Sequence, residues 1–427
     1  MPTPPRRDIA VLRAKLAAKH PKAQAALAAA AGDIPVELLQ QGLLCAVGAG
    51  DQDAAMALAR RMLPNVPPLA PLRLAFQATL VDYCRERGLP CATVVEPIRV
   101  EIAPSSRYTM PFAYTTEPAV FASVPRAQFI PGWDFVIGED DTVLHDTGYL
   151  PPEVATHDFM TFHVGHLDCL IHYAPAEEVY VDEEVLFLSA PRANVGHWMI
   201  DFLPRLKGME HVPGGRVKVA VPQGMPARYR EMLEVFGFGA PDIVVCDPAK
   251  RYRFRMCHVY RSGLATPPNP VHVRFVREGF TRGRTLEITR GKKVFLTRNR
   301  IGTRLVENSG EFEAFLKREN IASAELADLS VADQHKLLND VEVILGTFGS
   351  DLFGMYFAPA GCTVLALMND LSEDVTVAPT AHMLGQRHQI FLCDRARAPG
   401  LKRHKRDTNV VIDCAALGDR LREIAGR

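Results

Sequence analysis

The spacing of apolar residues changes along this chain, and each change marks a boundary. From Asp8 to about Gly88, Leu12, Leu16, Ala23, Leu27, Leu38, Leu39, Leu43 and Leu44 recur at helical spacings, punctuated by Gly32, Gly48-Ala49-Gly50 and the Pro64–Pro71 segment. The pattern predicts short helices joined by short turns, one of them over Leu72–Arg87, in an all-helical module of residues 1–90. Asp51-Gln52-Asp53 precedes the Ala-rich run AAMALARRML, so it reads as a helix cap and not as a metal-binding D-x-D. A module of this kind suits a protein partner or self-association.

From Ala92 to Pro152 the period shortens to two. TVVEPIRVEIA alternates, and WDFVIGEDDTVLHDTGY predicts a hairpin turning at Glu139-Asp140-Asp141. Continuous apolar runs follow: VLFLSA, VKVAVP, IVVC and FRMCHVY as strands, with MPARYREMLEVFGF as a helix. These make a β-rich lead-in and a first α/β domain over residues 91–268, closed by the proline-rich ATPPNPVH. Beyond it VFLTR, SGEFEAFLKREN, VADQHKLLND, VEVILG, SDLFGMYFA, TVLALM, TAHMLGQ and IFLCD alternate again, and VVIDCAALGDRLREIA ends the chain. That is a second doubly wound domain, residues 269–427. The expected fold class is α/β: two Rossmann-like domains facing a cleft, preceded by a helical module.

The 48% apolar content is ample for full cores in two or three domains of a 427-residue chain. Lys+Arg 49 against Asp+Glu 49 leaves no net charge, which argues against a nucleic-acid partner. The basic run RARAPGLKRHKRD reads as a solvated loop, with an anionic acceptor or membrane surface as the alternative. Nine cysteines without a C-x-x-C predict neither zinc nor disulfides, and so a reducing, cytoplasmic setting. The N-terminus has no apolar signal core and no run reaches membrane-span length. His157, His163, His166 and His172 match no common ligand spacing, so no metal is expected there.

Three stretches carry candidate chemistry. Gly346 and Gly349, between VEVILG and a short apolar helix, let backbone approach a ligand, and Ser350 or Asp351 can cap that helix. A helix N-terminus after such a turn suits a phosphate. Arg298 and Arg304 follow the strand KKVFLTR and would reach the same sheet edge, where paired guanidinium forks match a diphosphate. Further upstream, His197 and Asp201 sit four residues apart on one helical face, with Trp198, Phe202 and Leu206 as a neighbouring apolar stripe. Pro204 should kink or end that helix. The pair suits a catalytic base with an orienting partner, or a hydrogen bond that staples the helix.

TRNRIGTRLVEN, LSVADQ and GTFGSDLFGMYFAPAGCTVLAL, preceded by NVGHWMIDFLPRL, resemble glycosyltransferase family 61 over roughly Trp133 to Met368. That family includes bacterial capsular-polysaccharide transferases, plant xylosyl- and arabinosyltransferases and animal protein-linked GlcNAc transferases. The resemblance implies a GT-B arrangement and an inverting transfer, in surface-polysaccharide or glycoconjugate synthesis, from a nucleotide-sugar donor to a glycan or protein-linked acceptor. The donor would bind through Arg298, Arg304, Glu307, Asn308, Gln334, Gly346, Gly349, Ser350 and Asp351, without a metal or other cofactor. Asn194 and Trp198 would face the acceptor, with Asp201 as base and His197 as the alternative base. Two residues depart from the family pattern: Phe348 stands where its turn usually has His, and Ala366 where its strand often has an acid. They motivate a second reading, a binding or scaffold protein with a lapsed transferase domain. A nucleotide-sugar epimerase is a third.

Overall fold

A computed structural model describes residues 36–62, 72–102, 113–131, 135–148, 161–164, 169–188, 194–263, 267–300, 302–372, 374–396 and 408–426. Two parallel arrays of strands carry the fold. In the first, β1 (Glu178–Phe187), β2 (Lys218–Pro222), β3 (Ile243–Cys246) and β4 (Arg251–Arg261) lie in the order β3-β2-β1-β4, with α1 (Ala227–Val235) joining β2 to β3. All three pairings are parallel. The strand order reverses between β1 and β4, and open sheets leave a crevice at the carboxyl ends of such neighbours. Whatever follows β1 directly therefore reaches that crevice.

Antiparallel strands extend this array into a sheet of 12 strands. The predicted hairpin is present, Val136 opposite Leu144 and Ile137 opposite Val143, with Glu139–Asp141 in its turn. The helix expected over Leu72–Arg87 is corrected: Leu72–Ala78 is a strand antiparallel to Cys169–Tyr173, and only Leu80–Arg87 is helical. LRLAFQA also alternates, and pairing with a distant strand overrides a short helical period. Val36–Ala49 and Gln52–Met62 are helices, and Asp51 caps the second by accepting from Ala54 N at 3.0 Å. Residues 1–35, His157, His166 and most of the basic run lie outside the described residues. Among those described, no helix is long and apolar enough to cross a membrane.

After the proline-rich crossing comes α2 (Pro270–Thr281), capped by Asn269. The second array then follows: β5 (Lys293–Leu296), α3 (Ser309–Arg318), β6 (Ile321–Ala324), α4 (Val331–Leu338), β7 (Val343–Thr347), β8 (Thr363–Met368) and β9 (Arg387–Leu392). Its order is β6-β5-β7-β8-β9, all parallel. Every residue of β7 and β8 is buried, as their continuous apolar runs require in a sheet covered on both faces. Alternation divides the faces: Phe295, Leu345 and Leu365 pack with Phe312 and Phe315 of α3, while Leu296, Ile344 and Val364 point the other way.

That other face is shared between the arrays. Trp198, Tyr229 and Tyr260 from the first half join Leu296, Phe353 and Tyr356 from the second in one continuous buried cluster. α2 is wedged into it, Phe280 meeting Tyr356 and Phe357, and Arg277 donating to the carbonyls of Met355 and Tyr356. Among the described residues, side chains thus pack along the line where an open cleft was expected.

His272 of α2 lies in this seam, bonded through Nε2 to the Tyr260 hydroxyl at 2.9 Å. Burial, with a smaller push from Lys207, drives its imidazole from the ordinary 6.5 down to about 3. The unfolded chain takes up a proton below its ordinary value that the folded chain refuses. Stability from this group is therefore full above that value and is lost as pH falls, by about 1.4 kcal/mol per pH unit. His272→Gln should flatten the acid limb of stability by about one proton's slope between roughly pH 6 and 4. Urea unfolding across that range measures it, and an unchanged slope would count against the argument.

Candidate active site

The residues beyond β1 turn at once into the crevice beside β4. The Asn194 side chain accepts from Gly196 N at 2.9 Å and His197 N at 3.3 Å, capping a single α-turn, Val195–His197. The chain then winds as a π-helix over Trp198–Phe202, with Leu203 N bonded to the Trp198 carbonyl, and as a 3-10 helix over Leu203–His211. Pro204 is the cause: it offers no N–H to the Ile200 carbonyl and its ring crowds that turn, so α-winding stops where the sequence predicts.

This winding still leaves His197 and Asp201 on one face, Nδ1 to Oδ2 at 2.7 Å. Their exposure differs sharply, 33% for the His197 side chain against 5% for Asp201. Burial pushes the Asp201 carboxyl above the usual range, opposed by the His197 hydrogen bond and charge and by Arg205. Arg205, itself buried, donates to the Asp201 carbonyl at 3.3 Å and the Leu188 carbonyl at 3.4 Å, tying the turn to the end of β1. Trp198, expected to face an acceptor, is instead fully buried and stacks parallel on Tyr229 at 4.6 Å. It anchors the turn in the seam.

In the second array the order reverses between β5 and β7, and Arg298 follows β5. Its guanidinium occupies the place where a side chain at residue 349 would be: a Cβ on Gly349 would stand 1.2 Å from Arg298 Nη1. Nη1 donates to the Phe348 carbonyl at 3.4 Å, and Nε lies 3.5 Å from Asp351 Oδ2. Both side chains of this ion pair are buried, and burial raises the Asp351 carboxyl against the pull of Arg298 and, more weakly, Arg228. Arg304 has a left-handed backbone, φ 58°, and donates to the same Phe348 carbonyl at 2.7 Å. Its guanidinium also lies 5.8 Å from the Phe348 ring centroid. Two guanidinium groups therefore converge on one carbonyl.

The remaining expected donor residues divide. Ser350 and Asp351 do not cap the following 3-10 segment, Ser350–Phe357; Gly349 is the cap residue and Asp351 is engaged with Arg298. Gly346 serves packing, since a Cβ there would meet Leu352 Cδ2 at 2.9 Å. Glu307 accepts from Asn409 at 2.6 Å, and Asn308 both donates to the Ile412 carbonyl and accepts from its N–H. Gln334 donates to the carbonyls of Leu326 and Leu329. These three tie chain segments together and are not gathered at the arginine pair. Ala366 is fully buried in β8, opposite Gly346.

The two turns touch. A Cβ on Gly196 would stand 3.1 Å from both Ser350 Cβ and the Phe353 ring, so the turn carrying His197 rests on the turn carrying Gly349. On the far side of the arginine pair a pocket opens towards α3, bordered by Arg298, Arg304, Thr297, Thr347, Ser323 and Glu313. Sequence reasoning missed Ser323 and Glu313. Strand alternation places Phe295 and Thr297 on one face, but the register that sets Ser323 beside Phe295 belongs to the folded sheet.

Among known families, the model described as Glycosyltransferase 61 matches residues 195–365. The match begins just after Asn194 and includes His197, Asp201, both arginines and the Gly346–Asp351 turn. No curated protein matches the chain.

Removing the Arg298 guanidinium should leave Asp351 buried without its counter-charge. Arg298→Ala is therefore expected to cost about 3–5 kcal/mol of stability. Chemical denaturation measures the loss, and a variant as stable as the parent would show that the pair does not hold the turn.

Proposed function

We propose that this chain, whose residues 195–365 form a glycosyltransferase 61 domain, moves a sugar from a nucleotide-sugar donor to a hydroxyl of a glycan or glycoprotein acceptor, with inversion. One observation carries the reading: a histidine–carboxylate pair and an arginine pair, each beyond a strand where its array reverses, meet at the Gly196–Ser350 contact. Surface polysaccharides and glycoconjugates are the product classes that family membership favours.

In this reading Arg304 receives the donor diphosphate, with Arg298 behind it fixing the Phe348 carbonyl. The acceptor oxygen attacks the anomeric carbon as the bond from that carbon to the diphosphate oxygen breaks. Guanidinium groups and the amides of the Gly349–Asp351 turn offset the charge developing on the leaving group, a role a metal would otherwise fill. The acceptor's proton passes to His197 Nε2. Asp201, too buried to meet an acceptor, holds Nδ1–H and so fixes the tautomer and ring orientation. Burial thus favours the reverse of the roles drawn from spacing alone, with His197 as base and Asp201 as its orienting partner. The Phe348 ring against Arg304 supports a second reading, donor binding without turnover.

Arg304→Ala should weaken nucleotide-sugar binding by about 1.5–3 kcal/mol, and Lys should recover little because the fork is lost. Calorimetric titration checks this, and unchanged affinity sinks the diphosphate assignment. His197→Ala and Asp201→Asn should each lower transfer about a hundred- to ten-thousand-fold while donor affinity holds. Added imidazole should partly restore His197→Ala and not Asp201→Asn. Rescue of neither, with Asp201→Asn fully active, would make the pair a helix staple. Transfer should also survive excess EDTA; loss on chelation with recovery on adding Mn or Mg would overturn metal independence.

A further inference from the structure

We propose that the pocket between β5, β6 and α3 takes the ribonucleoside half of the donor, with the Glu313 carboxylate accepting from ribose hydroxyls. The inference rests on the donor-site reading above and extends it to the nucleoside. The argument begins with strand alternation. Phe295 and Thr297 of β5 point to the α3 face, Ser323 of β6 lies beside Phe295, and Thr347 ends β7 on the same side. Beneath α3 the pocket is walled by Phe295, Phe312 and Leu316, the two rings meeting edge to face at 4.9 Å between centroids. Apolar walls with a few convergent polar groups are what a flat heterocycle requires, and the Thr297, Thr347 and Ser323 hydroxyls supply hydrogen bonds for its edge.

Charge then fixes the direction of the ligand. The arginines stand at one side of the pocket and Glu313 of α3 at another. A carboxylate repels phosphate and accepts from a vicinal diol, as acidic residues do for the ribose in dinucleotide sites. The anionic part of the ligand therefore belongs at the arginines and the hydroxylated part at Glu313. Beyond the arginines lie Phe348, Gly349 and Ser350, and against them Gly196 and His197. The sequence of groups is nucleoside in the pocket, diphosphate on the arginines, sugar beside His197, which delivers the anomeric carbon to the base.

Calorimetric titration of the full chain with inorganic pyrophosphate, with UDP, CDP, GDP and ADP, and with their 2′,3′-dideoxy analogues tests this. At least one ribonucleoside diphosphate should bind about tenfold or more tightly than pyrophosphate. Glu313→Gln, on an exposed helical position, should keep its melting temperature and its pyrophosphate affinity. The same variant should lose about tenfold for the ribonucleotide and nothing for the dideoxy analogue. Ser323→Phe should fill the pocket and abolish the preference over pyrophosphate. Diphosphates that bind no better than pyrophosphate would overturn the pocket assignment and leave the arginine site standing. Ribonucleotide affinity unmoved by Glu313→Gln would overturn the carboxylate's role. If pyrophosphate and every nucleotide fail to bind, the donor-site reading falls and this inference with it.

Discussion

A guanidinium seated where residue 349 has no side chain is the contact on which the candidate site depends. Arg298 reaches that place only because Gly349 leaves it open, and from there it meets both Asp351 and the Phe348 carbonyl. Neither charge of such a pair is stable alone in the interior, so each holds the other in position. The far end of the same segment is fixed as firmly. Arg277 donates to the carbonyls of Met355 and Tyr356, and Gln386 to those of Met355 and Ala358 at 2.8 and 3.1 Å. Pinned at both ends, Ser350–Phe357 presents a rigid shelf to the turn bearing His197.

On that turn, winding decides chemistry. A regular α-helix through Pro204 would lose a hydrogen bond and clash; the π-turn absorbs the misfit, and Trp198 locks it against Tyr229. The outcome is a division of environment between two neighbouring side chains, one wet and one dry. Environments that differ this much are how a fold assigns different roles to adjacent titratable groups.

Much of this was legible beforehand. The all-apolar runs VEVILG and TVLALM announced buried parallel strands, and NVGHWMIDFLPRL and the two arginines announced where chemistry would lie. What misled was local ambiguity or missing register. LRLAFQA fits either period until a distant partner strand selects one. Asp201 and His197 are equivalent candidates by spacing, and only burial separates them. Glu307, Asn308 and Gln334 carry polar groups suited to a ligand, yet their partners are carbonyls, amides and side chains from other segments, which spacing cannot reveal. Gly346 and Gly349 look alike in sequence; one makes room for Leu352 and the other for a charge.

The shared cluster between the arrays has a consequence for how the molecule comes apart. Enzymes built from two sheets are commonly pictured as jaws on a hinge, each half intact by itself. Here Phe353 and Tyr356 on one side and Trp198 and Tyr229 on the other fill the same interior, with α2 between them. Prising the halves open would expose aromatic surface worth several kcal/mol, at roughly 25 cal/mol per Å². The two halves are therefore one cooperative body, and substrates must enter by the movement of short surface turns, not by a swing of domains.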